Sequence, residues 1–499
     1  MTHVRFVCRP IARLCGRISP LLSRDISVFV RRYLRPRPQI SLPVDFLPRF
    51  IEFEHMLILR LLMRIFLFFS FVTLLLGLAS CGSRPNSSVS SPAVPVIDVE
   101  SALADLQDRL KLSDFGSRVR YVPLETNDSC LVAAHPKALV TDDYVLVTSR
   151  IGTEHFVHAF ERRTGRFVAK VGHRGEDPKA YTDFTPYYNA YNDLLYFERI
   201  PNQLQKYDWQ GNYHGRAFVP VWPRRPASYF FCDSLVIGYH EPSVYEPVGS
   251  RLLSVFDETG EVKDSVPRLS GFPVRKEEEI ACIGNSRITD WGWLHYAIYK
   301  DGSISCFLSN VRPLWKCGES IRLKDGLNDT IYTWEKGIGL YPSFVFHTGK
   351  EEEDSQGGSV RDSWVFGVFE ASEKIFFQYV KNAFRVIHQE NAATLSFLEG
   401  KSASIEDFPY EVYNGMYDKQ TGVTRMALWG EGLEDDLAGG PSWEVQGTST
   451  QEEIVGVLEA GEVVGWLEAH PEAKDNPRLA PLLKVKEEDN PVVVIVSDK

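Results

Sequence analysis

One hairpin recurs along this chain and limits what it can fold into. An apolar run ends in an aromatic, an acid follows, and a glycine turn leads into a second apolar run. The copies are Phe160-Glu161 with Gly165-Arg166-Phe167, Tyr207-Asp208 with Gly211-Asn212-Tyr213, Phe256-Asp257 with Gly260-Glu261-Val262, and Tyr417-Asp418 with Gly422-Val423. Tyr299-Lys300-Asp301-Gly302 is a looser copy and Phe369-Glu370-Ala371-Ser372-Glu373 a remote one. Glycine supplies the positive φ of the turn, and the acid accepts hydrogen bonds from the turn backbone. Taken at their aromatics, the copies are 47, 49, 43, 70 and 48 residues apart. Strands repeating every ~40–50 residues are the pattern of propeller blades, whereas a sandwich has no such period. The expectation is an all-β chain, a six-bladed β-propeller. The 70-residue interval is expected to hold an insertion with Glu351-Glu352-Glu353-Asp354-Ser355-Gln356-Gly357-Gly358 as its exposed loop.

Two further features suit that architecture. Aromatics make up 12% of the chain, which favours strands. Tyr144-Val145-Leu146-Val147 is apolar on both faces, as in a sheet packed between two others. Near the C-terminus, Val492-Val493-Val494-Ile495-Val496 follows Pro491, which lacks a donor and suits the start of a strand. This run is too apolar for a frayed end. It is expected to pair with a segment from the other terminus, 119–125, and so close the propeller.

The N-terminus reads as an address. Residues 65–80 carry no charge, Arg60 and Arg64 precede them, and Leu78-Ala79-Ser80-Cys81 closes them. These are the three regions of a signal peptide, and sixteen residues fall short of the ~20 of a spanning helix. The ending resembles a bacterial lipobox, which implies lipidation at Cys81. Met56 or Met63 is the natural start. Residues 1–55, rich in Arg and free of Lys, read as a spurious or disordered extension, with a genuine cytoplasmic extension as the alternative. The expected plan is 1–55 extension, 56–80 lipoprotein signal peptide, 81–95 flexible tether rich in Ser and Pro, and 96–499 propeller. Of the eight cysteines, five then remain, an odd number that cannot pair completely.

Charge excludes one class of partner. Residues 1–55 carry +6 and residues 56–81 carry +2, so the −11 of the whole chain leaves −19 on residues 82–499. A body this acidic is not built to neutralise nucleic-acid phosphates.

Several stretches resemble the six-bladed β-propeller lipoproteins of Bacteroidetes-type bacteria. They are Leu112-Ser113-Asp114 with Tyr121-Val122-Pro123-Leu124-Glu125-Thr126, then Lys170-Val171-Gly172-His173-Arg174-Gly175-Glu176-Asp177-Pro178. Asn328-Asp329-Thr330-Ile331-Tyr332 with Tyr341-Pro342 follows, and last Lys486-Glu487-Glu488-Asp489-Asn490-Pro491-Val492-Val493-Val494-Ile495. Together they span 112–495. The resemblance implies the fold and a cell-envelope location, an outer-membrane lipoprotein held to the membrane by its lipid. It implies no reaction. The chain departs from the family at Gly175-Glu176-Asp177-Pro178-Lys179-Ala180 and at Glu434-Asp435-Asp436-Leu437-Ala438-Gly439-Gly440. No acidic cluster follows Cys81, so the protein is expected to face the periplasm.

No zincin, nucleophile-elbow, phosphate-loop, dinucleotide or EF-hand motif occurs. No catalytic, metal or cofactor-binding residue is therefore expected. His173 and Arg174 stand in an inter-blade loop and are candidates for a ligand role, against a turn anchored by Gly172 and Gly175. Trp291 and Trp293 offer either a sugar-stacking pair or packing between blades. The expected function is a lipid-anchored scaffold for an unidentified protein or glycan ligand, with a glycan-active hydrolase or lyase as the alternative.

Overall fold

The strands follow from turn chemistry that can be read atom by atom. At the Asp208 turn, the carboxylate accepts from the Gln210 amide at 3.1 Å and the Asn212 amide at 2.8 Å, and Gly211 takes φ 80°. Asp257 and Asp418 accept from their own turns in the same way. Gly165 has a tertiary reason as well. A Cβ there would lie 2.0 Å from the Pro123 carbonyl, and the Gly165 carbonyl accepts from the Glu125 amide at 2.8 Å. That hairpin is thus tied to a segment about forty residues upstream.

The computed structural model describes residues 94–498 apart from 222–223, 244–248, 273–274, 350–361, 392–409 and 431. The readings on residues 1–55, on 56–80, on Cys81 and on the loop 351–358 lie outside the described residues. Pro92–Lys499 is one compact unit. It is all-β and propeller-like, and among the described residues its strands form seven small sheets. In chain order they span 137–170, 187–218, 228–267, 280–310, 314–347, 364–428 and 445–497. Within each span the strands run as an antiparallel meander, three strands in the fourth sheet and four in most others.

Neighbouring sheets are joined by apolar layers. Val145, Val147 and Phe160 of the first sheet pack with Val455, Val493 and Ile495 of the seventh. The other face of the first sheet, through Leu146, Val157 and Ala159, meets Leu195, Phe197 and Tyr207 of the second. The second meets the third through Tyr196, Leu204, Tyr229 and Phe256. The third meets the fifth through Leu253, Val255, Leu323 and Trp334. The fifth meets the sixth through Ile331, Phe344, Val365 and Phe377. The fourth, sixth and seventh share one large layer around Trp291, Phe366, Phe376 and Val494.

Charged groups cross the same junctions. Arg268 of the third sheet and Asp325 after the strand Ser320–Lys324 of the fifth form a buried pair at 2.6 Å. Glu370 of the sixth accepts from Trp315 at 2.8 Å and Arg322 at 3.3 Å of the fifth, and pairs with Lys419 at 2.8 Å. Arg162 beside the first sheet pairs with Glu453 of the seventh.

Residues 94–123 run as a strap across three sheets. Val96–Asp98 adds a parallel strand to Gly339–His347. A short helix, Val99–Ala104, follows with Asp98 as its cap, accepting from the Ser101 amide at 3.0 Å. The Gln107 amide then donates to the Met426 carbonyl at 2.8 Å. Arg118–Pro123 pairs antiparallel with Val492–Ser497, with Tyr121 opposite Val494. Val492 to Val496 are each at most 2% exposed. Alternation sends Val492, Val494 and Val496 to one apolar layer and Val493 and Ile495 to the other, so both faces of this strand are covered.

Three details differ from the sequence reading. The copies at Phe160, Tyr207, Phe256 and Tyr417 each close the third strand of a four-stranded meander, but Tyr299 closes a second strand and Phe369 lies near the end of a first one. The 70-residue interval contains a whole meander, Leu314–Cys317 through Gly339–His347. Its matching turn, Trp334-Glu335-Lys336-Gly337, was not among the copies. The five described cysteines are all free thiols.

Burying a carboxylate inside the last strand removes solvation that nothing there replaces. Val494→Asp is expected to destabilise the unit by about 4 kcal/mol or more, while Glu487→Gln in the exposed turn before the strand changes it by less than about 0.5 kcal/mol. Denaturant titration followed by tryptophan fluorescence measures both. A Val494→Asp midpoint equal to the parent's contradicts the buried role of this strand.

Candidate functional site

The first strand of each four-stranded meander is also a sheet edge, and several of these edges approach one another. The strand Val445–Thr448 lies beside Lys137–Val140, Tyr187–Asn189 beside Ser228–Cys232, and Ser228–Cys232 beside Leu314–Cys317. A proline precedes four of these strands by no more than two residues: Pro136, Pro186, Pro226 and Pro313. Proline has no N–H to leave unpaired and is tolerated on an edge. Lys137 directly follows Pro136 and Arg312 directly precedes Pro313, so each stands at the start of a first strand.

Trp291 is the ring that brings the residues beside Pro136 and Pro313 together. It lies in the turn between Ile280–Thr289 and Gly292–Tyr299 of the fourth sheet and is 5% exposed. Its amide donates to Thr289 Oγ1 at 3.2 Å, and its carbonyl accepts from the Val311 amide at 3.1 Å. Its ring meets Phe369 of the sixth sheet edge to face, with centroids 5.0 Å apart. Two cations are placed over the indole, one from the first sheet and one from the loop between the fourth and fifth sheets. Lys137 Nζ is 5.0 Å from the ring centroid and Arg312 Cζ is 5.8 Å from it. Gly447 of the seventh sheet clears room for the guanidinium, since a Cβ there would stand 3.2 Å from Arg312 Nη1. Beside Gly447, Gln446 donates from Nε2 to the Pro136 carbonyl at 3.2 Å, while its Oε1 is buried without a hydrogen-bond partner.

The electrostatics of this cluster are unusual for the molecule. Arg268, Arg162, Lys419 and Arg322 are buried or nearly so, and each pairs with a carboxylate. Lys137 and Arg312 are partly buried, and among the described residues neither has an ion pair or side-chain hydrogen bond. Burial, followed by repulsion from Arg312 and Arg287, pushes the Lys137 ammonium down to about 8. Burial likewise lowers Arg312, partly opposed by Tyr187. Arg287 differs because it pairs with Asp290.

The candidates from the sequence are placed elsewhere. His173 pairs with Asp177, and both side chains are about half exposed. Arg174 donates to His155 Nε2 at 3.1 Å. The loop carrying them is fastened by Arg199, which donates to the carbonyls of Glu176 at 3.0 Å, Asp177 at 2.6 Å and Ala180 at 2.7 Å. The structure brings His173 and Arg174 together on this loop but gives neither a contact with Lys137, Trp291 or Arg312. The 434–440 segment is a structural knot. Asp435 is 3% exposed, accepts from Tyr121 Oη, and accepts from the amides of Ala438 at 2.8 Å and Gly440 at 2.9 Å. Trp291 and Trp293 are divided: the first is buried in its turn and the second is 39% exposed on the strand. Among the described residues there is no group of three or more His, Cys, Asp or Glu able to hold a metal ion. No helix there is long and apolar enough to cross a membrane.

Residues 94–497 match the family described as "Domain of unknown function (DUF4934)", and the chain belongs to that family. Among solved structures, it is similar to a Bacteroides fragilis protein described as a candidate exported protein. The identity is 16%, covering 81% of this chain and 99% of that one, with a TM-score of 0.50. It also matches a member of the DUF4221 family from Bacteroides vulgatus at 10% identity, covering 76% of this chain and 96% of that one, with a TM-score of 0.35. No curated protein matches it.

A lysine held near 8 when folded and at its ordinary 10.5 when unfolded gives a signed prediction. Between those values the unfolded chain binds more protons at this position than the folded one, so the stability it confers rises with pH and is lowest below pH 8. The thermal midpoint of the parent minus that of Lys137→Met is therefore expected to increase from pH 7 to pH 10. A flat or falling difference contradicts an uncompensated charge at Lys137.

Proposed function

We propose that this DUF4934 protein is a lipid-anchored binding scaffold of the bacterial cell envelope, built as a six-bladed β-propeller with its ligand site at the mouth of the converging sheet edges. The observation that carries the reading is the meeting at one indole of Lys137 from the first sheet, Trp291 from the turn of the fourth, and Arg312 from the loop that joins the fourth sheet to the fifth. Lys137 comes from more than 150 residues away in the sequence, so the group is no local feature of one hairpin.

In this reading the blades are the first, second, third, fifth, sixth and seventh sheets. The apolar layers described above support that order, because the third sheet packs on the fifth and the seventh on the first. The fourth sheet is an insertion whose turn delivers Trp291. The pair Arg118–Pro123 with Val492–Ser497 completes the seventh blade from both ends of the chain and closes the ring.

The address is supported by Leu78-Ala79-Ser80-Cys81 after an uncharged run, and by the Ser- and Pro-rich stretch that follows as a tether. The similarity to a Bacteroides protein described as a candidate for export agrees with it. Cys81 carries the lipid, the protein is an outer-membrane lipoprotein, and the propeller faces the periplasm.

Mass spectrometry of the native protein is expected to find an acylated N-terminal Cys81 and no peptide from residues 1–55. A soluble, unacylated chain overturns the anchor. The scaffold reading is checked by incubating the protein with a panel of polysaccharides: products are expected to stay absent, and their release replaces the scaffold with a glycan-active hydrolase or lyase.

A further inference from the structure

Resting on the binding-scaffold reading, we infer that Lys137 and Arg312 receive the oxyanion of a small hydroxylated ligand, a carboxylate or phosphate group. The two cations approach the same indole from the first sheet and from the loop between the fourth and fifth, 5.0 Å and 5.8 Å from its centroid. Trp291 is itself fixed by Thr289, Val311 and Phe369, so the cations rest on a rigid floor. Neither is fully buried, and solvent reaches both.

The charge balance is what distinguishes the place. Elsewhere the molecule neutralises its buried cations with carboxylates from an adjoining sheet, as Arg268 with Asp325 and Arg322 with Glu370. Residues 82–499 carry −19, so carboxylates are in surplus. At the mouth the opposite is found: two like charges converge, Arg287 adds a third already held by Asp290, and no described carboxylate pairs with Lys137 or Arg312. Holding like charges together in a partly desolvated site is unfavourable unless an anion joins them. The guanidinium fork suits the two oxygens of a carboxylate or phosphate, and the ammonium adds a point charge. Gln446 Oε1, buried beside the Pro136–Lys137 turn without a donor, suits a hydroxyl of the same ligand.

The test is calorimetric titration of the full chain in mild detergent at pH 7 and low chloride. The probes are glucuronate, glucose 1-phosphate and glucose. Glucuronate, glucose 1-phosphate or both are expected to bind, and which one does identifies the oxyanion; glucose binds at least tenfold more weakly. Lys137→Met and Arg312→Met each weaken the anion at least tenfold. Lys486→Met, which removes the same charge at an exposed position, changes it less than twofold. Arg312→Lys keeps the charge without the fork and falls between. The Met variants are expected to melt no lower than the parent without ligand, because each removes an uncompensated charge; this separates lost binding from lost folding. Anion binding that survives both Met substitutions overturns the inference. Glucose bound as tightly as glucuronate also overturns it while leaving the scaffold reading in place. Failure of all three probes to bind counts against both.

Discussion

The pairing of Arg118–Pro123 with Val492–Ser497 is the contact on which the rest of this unit depends. Every other sheet of the unit has its meander from one continuous stretch of chain. The seventh sheet draws its last two neighbours from opposite termini, so it forms only when the whole chain is in place. The strand Val492–Ser497 is covered on both faces, and its partner covers its edge. An uncovered strand of this apolarity would leave a row of backbone groups and five β-branched side chains to water. Asn490 reinforces the join. Its side chain donates to the carbonyls of Glu125 at 2.6 Å and Cys130 at 2.8 Å and accepts from the Val132 amide at 2.8 Å.

From that join outward, sheets are held by apolar layers with a charged latch across several junctions. Arg162 with Glu453 lies at the same junction as Val493 and Ile495, and Glu370 gathers Trp315, Arg322 and Lys419. A buried ion pair adds little net stability, but losing one partner is costly, so such latches fix which sheet faces which. The absence of a described carboxylate from Lys137 and Arg312 gains its meaning from this background. The same chain that pairs its buried charges across the sheets holds two cations over one tryptophan.

Much of the fold was legible because it is written in local chemistry. The aromatic–acid–glycine turns at Phe160, Tyr207, Phe256 and Tyr417 end equivalent strands, and the apolar run at 492–496 could only be internal. The period failed between 256 and 417, where the extra sheet 280–310 has the same alternation as its neighbours and Trp334-Glu335-Lys336-Gly337 passes unnoticed. Strand patterning reports that a sheet exists, not which sheet it packs on. The site was less accessible. Lys137 and Arg312 are ordinary in sequence, and their interest lies in having no ion pair with a carboxylate among the described residues. Trp291 drew attention for its neighbour Trp293, yet it is the buried ring that matters. The one linear signal was the proline set just ahead of four of the first strands, at 136, 186, 226 and 313.

If the two ends of the chain hold the unit together, their backbone amides open only when the whole unit unfolds. Hydrogen exchange resolved to peptides tests this directly. Amides of 118–123 and 492–497 are predicted to exchange as slowly as those of the central strand Tyr144–Ile151, with the same dependence on denaturant. Exchange of the terminal pair well ahead of that strand, by local opening insensitive to denaturant, would contradict the account.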